Sequence, residues 1–401
     1  MVKKQLHNNI IGILSLCVPY SYSLFYALKV VIGINNLQLF CATLFFATIV
    51  MIFIGRFVNR ETVAIGLLLS IFLLLFFVTR YKYGYVDSIY SGTFLSFIVR
   101  AFPAAILADY IARKGIIKYT IRWLEPFMYI FTITTFIAAL APRNSLMVYQ
   151  EVSYYGIFAY TMNVFLIIYR EKMISEGLAF LKSRIWIVLN IIMAFIQIFC
   201  MFVGGGRGAF VLFIIMSIIL GINLLKNGKK FLVLLVIISL SAILIFVFFP
   251  DVLNNILKLT GVGTKRLFTF FDSQNDIEGD QRYRIYMQSI SIIQKNLFFG
   301  TGIGSVFYEL GNYAHNWVLD ILIDTGVIGL FIVIILLLKT VYNLLRLIRI
   351  DWKYSAILFM LIEALTNLSF SGCYLSDGRI WFCIIFALIE WREIYWRKYS
   401  C

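Results

Sequence analysis

The sequence predicts an all-α integral membrane protein of about twelve transmembrane helices, and three observations carry that prediction. Of its 401 residues 62% are hydrophobic and only 14% charged, with a mean hydropathy of +0.91, too apolar a composition for a water-soluble globule. Apolar runs of about 20 residues, the length of one bilayer-crossing helix, recur along the chain. The basic residues between these runs fall mainly in alternate connections, the pattern of a multi-pass topology.

The spans are expected near residues 9–32, 37–55, 62–79, 88–110, 119–140, 154–169, 185–203, 208–225, 231–249, 316–338, 354–370 and 379–391. The first run follows Lys3 and Lys4 but has no small-x-small cleavage site, so it is expected to be retained. With the amino terminus in the cytoplasm, the inner segments collect the larger part of the 35 Lys and Arg, so both termini are expected to be cytoplasmic. The net charge of +15 is then a topology signal and not a nucleic-acid footprint. Three segments follow: residues 1–249 with spans one to nine, an outer loop over 250–315 with amphipathic helices, and residues 316–401 with spans ten to twelve and a cytoplasmic tail. The six cysteines stand singly without a C-x-x-C pair, so neither a metal site nor a disulfide framework is expected.

The long loop carries Lys265 and Arg266, then a helical stretch from about Gln281 to Asn296. There Tyr286, Ile290, Ile293 and Leu297 are spaced to share a face, with Arg282 one turn earlier on it, so Arg282 is expected to point into the bundle or membrane. Gly300, Gly302 and Gly304 read as a flexible break before the chain re-enters the membrane.

Gly204 to Ala209, with Arg207 among the glycines, lies between spans seven and eight at the outer face. The amino terminus of span eight, with its free N–H groups and dipole, would favour an anion beside Arg207. A tight turn with Arg207 snorkelling to headgroups accounts for the same residues. His315 stands where the loop meets span ten. Asn316, Asp320 and Asp324 continue from it at four-residue spacing, either packing against neighbouring helices or orienting His315. Arg100, Asp109, Glu125 and Glu363 are further polar intrusions, and Arg100 with Asp109 is a candidate structural pair.

Three segments in this order, GGGRGAF at 204–210, RYRIYMQSISIIQKNLFFGTGIGS at 282–305 and AHNWVLDILIDTGVIGLF at 314–331, resemble the O-antigen polymerase (Wzy) and O-antigen ligase superfamily. SYYGIFAY at 153–160 is similar to the same family. The resemblance implies a GT-C-like glycosyltransferase of the bacterial inner membrane with its active site at the periplasmic face. Its substrates would be undecaprenyl-pyrophosphate-linked oligosaccharides, as donor and acceptor, and it would use no metal or other cofactor. A chain-length regulator and a flippase would be its partners. The family's functional positions fall on Arg207, Arg282 and His315 as catalytic residues. Arg284, Tyr286, Arg266, Lys265, Asn316 and Asp320 would bind substrate, with Arg284 an alternative to Arg282.

Polymerase and ligase differ in acceptor, a second lipid-linked repeat unit or the lipid A core. HNWVLDILIDTGVIG is nearer the polymerase version. A polysaccharide flippase or transporter shares the size and charge, but should place polar groups near the midplane in related halves, and no internal repeat is visible.

Overall fold

The computed structural model describes residues 2–55, 60–84, 93–140, 149–183, 185–204, 206–226 and 281–399, and among them every regular element is helical. The predicted ninth span at 231–249 and loop residues Lys265 and Arg266 lie outside the described residues.

The first predicted span is not one helix. It forms α1 (Val2–Cys17) and α2 (Ser21–Ile32), broken where Pro19 removes a backbone donor. Helix α3 (Leu37–Ile54) is capped by Asn36, whose side chain accepts the Leu39 N–H at 3.0 Å. After α4 (Arg60–Tyr83), a π-helical segment (Phe97–Ala101) leads into α5 (Phe102–Lys114), which stops at Gly115 in a left-handed conformation. Then follow α6 (Ile117–Leu140), α7 (Tyr149–Ser175), α8 (Ile185–Gly204), α9 (Arg207–Lys226), α10 (Gln281–Lys295), α11 (Val306–Leu310), α12 (Trp317–Ile350), α13 (Ser355–Phe370) and α14 (Gly378–Tyr399).

Among the described residues seven helices are long and apolar enough to cross a bilayer: α3, α4, α6, α7, α8, α9 and α12; the broken pair α1 and α2 would make 8. Helix α13 has 16 residues, about 24 Å at 1.5 Å per residue, less than the roughly 30 Å hydrocarbon thickness. Helix α12 has 34 residues, interrupted at Gly326, and its longer arm from 327 to 350 would span about 36 Å, enough to cross the apolar layer.

The chain forms two compact units. The first comprises Met1–Tyr22, Asn36–Trp123 and Glu278–Cys401. Within it α5 packs along α14; Ala101, Ala104, Ala105, Ala108 and Ala112 are all wholly buried, and small side chains are what allow helix axes to approach closely. The second comprises Ser23–Asn35 and Leu124–Ile277. Its α7 is buried along most of its length; Asn163 of α7 donates to Gln197 Oε1 of α8 at 3.1 Å, and Gln197 donates in turn to Thr132 Oγ1 of α6 at 2.8 Å.

The polar intrusions have structural partners. Asp109 pairs with Arg113 at 2.5 Å and accepts from Thr62 at 2.8 Å, so the expected pairing with Arg100 does not form. Arg100 instead lies over the Tyr22 ring, 4.7 Å from its centroid. Glu125 pairs with Arg170 at 3.4 Å and caps the Phe180 and Leu181 N–H groups. Glu363 bonds Arg379 at 2.9 Å and Tyr20 at 3.2 Å, and Arg379 also pairs with Asp377, so each of these three buried charges has an opposite partner.

Candidate active site at the head of the broken helix

Helix α12 is interrupted at Gly326 (φ 66°, ψ −168°), a conformation open essentially only to glycine. The backbone groups freed there are taken up by the stretch joining α10 to α11. Thr301 N–H donates to the Ile323 carbonyl at 2.8 Å and Gly302 N–H to that of Asp324 at 2.9 Å, while Val327 N–H donates to Leu297 O at 2.8 Å. Backbone satisfied in this way is tolerated at membrane depth. The glycine triplet is therefore an ordered wedge and not the flexible break expected from sequence. Gly300, Gly302 and Gly304 all have positive φ, and a Cβ on Gly300 would lie 2.5 Å from the Thr325 nitrogen.

Asp324, fully buried, organises this wedge. It accepts from Gly304 N–H at 2.9 Å, Val306 N–H at 3.0 Å, Ser305 Oγ at 3.1 Å and the Tyr374 hydroxyl at 2.7 Å. Burial, and then the Asp324 charge, hold the Tyr374 phenol well above its ordinary range, so it remains a donor.

His315 stands two residues before α12 in a left-handed conformation, φ 59°, the one non-glycine residue with positive φ among those described. Asn316 caps the helix by accepting the Val318 N–H at 2.9 Å. The imidazole is half-buried, its centroid 4.4 Å from that of Tyr313, and its Nδ1 has no hydrogen-bond partner among the described residues. Tyr313 and Trp317, on either side of His315, reach Ser371 at 3.5 Å and Ser369 at 3.2 Å at the end of α13. These aromatic and serine positions carried no signal in the sequence, because their partners lie more than fifty residues away.

Arg282, in the first turn of α10, is half-buried and acts electrostatically on His315. Burial first, and then this guanidinium, hold the imidazole below its ordinary 6.5, at about 4. Arg284 is exposed. The buried side of α10 runs through Arg282, Ile285, Tyr286, Ser289, Ile292 and Ile293; Ile290 (43% exposed) and Leu297 (44%) lie off it. The face expected from the 286, 290, 293, 297 spacing is thus rotated, because α10 ends at Lys295 and seats Ile293 against Val306 and Ile323. Arg282 and Tyr286 lie on the covered side all the same. Asp320 is wholly buried and accepts the Ala314 N–H at 2.7 Å. In this structure the carboxylate, expected from the sequence to bind substrate, makes a structural contact.

In the second unit Arg207 is the first residue of α9. The preceding Gly206 donates its N–H to Ser153 Oγ at 3.0 Å, and a Cβ on Gly206 would collide with that hydroxyl. Gly156 lies against Cys200, and Tyr160 bonds Ser217 at 2.9 Å, so the SYYGIFAY stretch is the surface on which α8 and α9 pack. Gly206→Val is therefore expected to reduce folded protein in membranes several-fold, whereas Gly221→Ala, a helical position with open space, leaves it unchanged; fluorescence-detected size exclusion of tagged protein measures both.

The family described as O-antigen ligase matches residues 191–334, about a third of the chain, a segment that includes Arg207, Arg282, His315, Asp320 and Asp324. Comparison with curated proteins gives no match. Over this segment, which holds all three motifs whole, the chain is similar to the O-antigen ligase family, in keeping with its row of apolar helices.

Proposed function

We propose that this protein is an O-antigen, or related surface polysaccharide, polymerase. It would transfer a growing glycan from undecaprenyl pyrophosphate to another lipid-linked repeat unit at the periplasmic face of the inner membrane. The reading takes the chain as a GT-C-like glycosyltransferase of about twelve spans with both termini cytoplasmic. The observation that carries it is a neutral, half-buried histidine in a constrained turn with an arginine acting on it.

In this reading His315 Nε2 takes the proton of the acceptor hydroxyl as that oxygen bonds the donor sugar's anomeric carbon. The carbon–oxygen bond to the pyrophosphate breaks, and the pyrophosphate leaves with the electron pair. Direct displacement inverts the anomeric configuration. Arg282 stabilises the charge growing on the leaving group, and Arg207 joins it on the strength of the family resemblance. A pyrophosphate against Arg282 would also offset the guanidinium's effect on His315 and raise the basicity of the imidazole when substrate is bound. The chemistry proposed needs no metal.

Because His315 is useful only when neutral, kcat/KM is expected to stay flat as pH falls through 6.5 and to decline only on approaching about 4. Removing the positive charge in Arg282→Gln should move the remaining acid limb upward. An acid limb near 6.5 in the unaltered enzyme would contradict this account.

Deletion of the gene in its host tests the polymerase reading. Lipid A core carrying a single repeat unit, without a ladder, is the expected result. Loss of every attached unit with accumulation of lipid-linked polymer identifies a ligase, the reading favoured by the description of the matched family. Accumulation of unpolymerised lipid-linked units on the cytoplasmic side identifies a flippase.

A further inference from the structure

His315 occupies a backbone region that residues with a side chain rarely adopt. Such a conformation persists only when the surroundings over-determine it. What holds it is visible around the peptide on its amino-terminal side. Ala314 is wholly buried, and its N–H is bound at 2.7 Å by Asp320 Oδ1 from the first turn of α12. The same turn is closed by the Asp320 N–H donating to the Asn316 carbonyl at 3.0 Å. Residues 314–320 therefore form one ring of contacts, with the carboxylate reaching back over the residue whose imidazole must be aimed. Asp320 is 0% exposed and its Oδ2 has no hydrogen-bond partner among the described residues, so the carboxylate's one hydrogen bond is the Ala314 clamp.

We propose that Asp320 is a positioning residue: by binding the Ala314 N–H it locks the left-handed turn that directs His315 at the acceptor hydroxyl. The proposal rests on His315 acting as the base. What matters is the acceptor oxygen of Asp320 and not its charge, since an asparagine placed there keeps an oxygen for the same N–H. A misaimed imidazole slows the chemical step without weakening the binding of either lipid-linked substrate, which separates this role from substrate binding.

The test compares Asp320→Ala, Asp320→Asn and His315→Ala in full-length enzyme in nanodiscs, using polyprenyl-pyrophosphate-linked repeat units extracted from the host. The expected result is that Asp320→Ala lowers kcat about 30- to 100-fold with KM unchanged, in line with the cost of misplacing a catalytic group. Asp320→Asn should recover to within about threefold of the unaltered enzyme, with the same acid limb in its pH profile. Should Asp320→Ala fail to assemble, Asp320→Leu fills the space without an acceptor and carries the same expectation. Full turnover in the alanine or leucine variant, an effect confined to KM, or an asparagine variant as impaired as alanine would each overturn the clamp. Loss of activity in His315→Ala with full activity in Asp320→Ala removes the clamp alone. Retained activity in His315→Ala removes the base on which it rests.

Discussion

Replacing His315 with alanine is expected to lower polymerisation by about 10²- to 10⁴-fold, the usual contribution of a positioned general base, with no loss of protein from the membrane. The imidazole makes no hydrogen bond through its buried Nδ1 and is half-exposed, so its removal leaves no donor stranded in the bundle and opens no large cavity. Alanine loses only the ring contact with Tyr313 and keeps the Cβ that histidine already places in the left-handed turn, so it adds no crowding there. Surface polysaccharide examined on gels against the deletion strain, at matched abundance, measures the effect. A ladder of normal length in the variant would remove His315 from the mechanism. His315→Asn would test the same point, because asparagine tolerates the left-handed region and so preserves the turn while lacking the base.

The largest loss of folded protein is expected from Gly326→Ala. At φ 66° and ψ −168° an L-residue costs about 1–3 kcal/mol in backbone strain alone. The added Cβ would also collide with the backbone carbonyl of Phe298, which cannot rotate away as a side chain could. Moving that segment breaks the bonds from Val327 to Leu297 and from Ile328 to Phe298, and backbone groups left unpaired out of reach of water cost about 1–3 kcal/mol each. The sum, several kcal/mol, is comparable to the whole stability of many domains. Melting temperature and monodispersity in detergent are the readouts, with Gly221→Ala as the tolerated control. Asp324→Asn is expected to be milder than Asp324→Ala, since an amide oxygen still serves some of the four donors gathered there. Unchanged melting in Gly326→Ala would mean that the break in α12 does not need the conformation described.

The membrane class and the positions of most helices follow from the sequence by itself, because hydropathy over about 20 residues is a local property that the bilayer reads directly. The helix beginning at Gln281 and the candidacy of Arg282 and His315 were also legible, from periodicity and motif resemblance, whereas the cap formed by Asn316 came only from the structure. The break at Val18–Tyr20 was half legible: Pro19 is in plain view, yet the apolar run continues through it. Tertiary structure alone decided which side of α10 is covered, because Ile290 and Ile293 are equally apolar and only the seat formed by Val306 and Ile323 distinguishes them. It alone showed that Asp109 belongs to Arg113 and not Arg100, that Asp324 gathers a glycine wedge with Tyr374, and that Asp320 holds the backbone before His315. Each of these is a hydrogen bond or ion pair chosen among several residues of the same chemistry. A sequence shows that a buried carboxylate must find a partner; only the packed chain brings one particular donor within 3 Å of it.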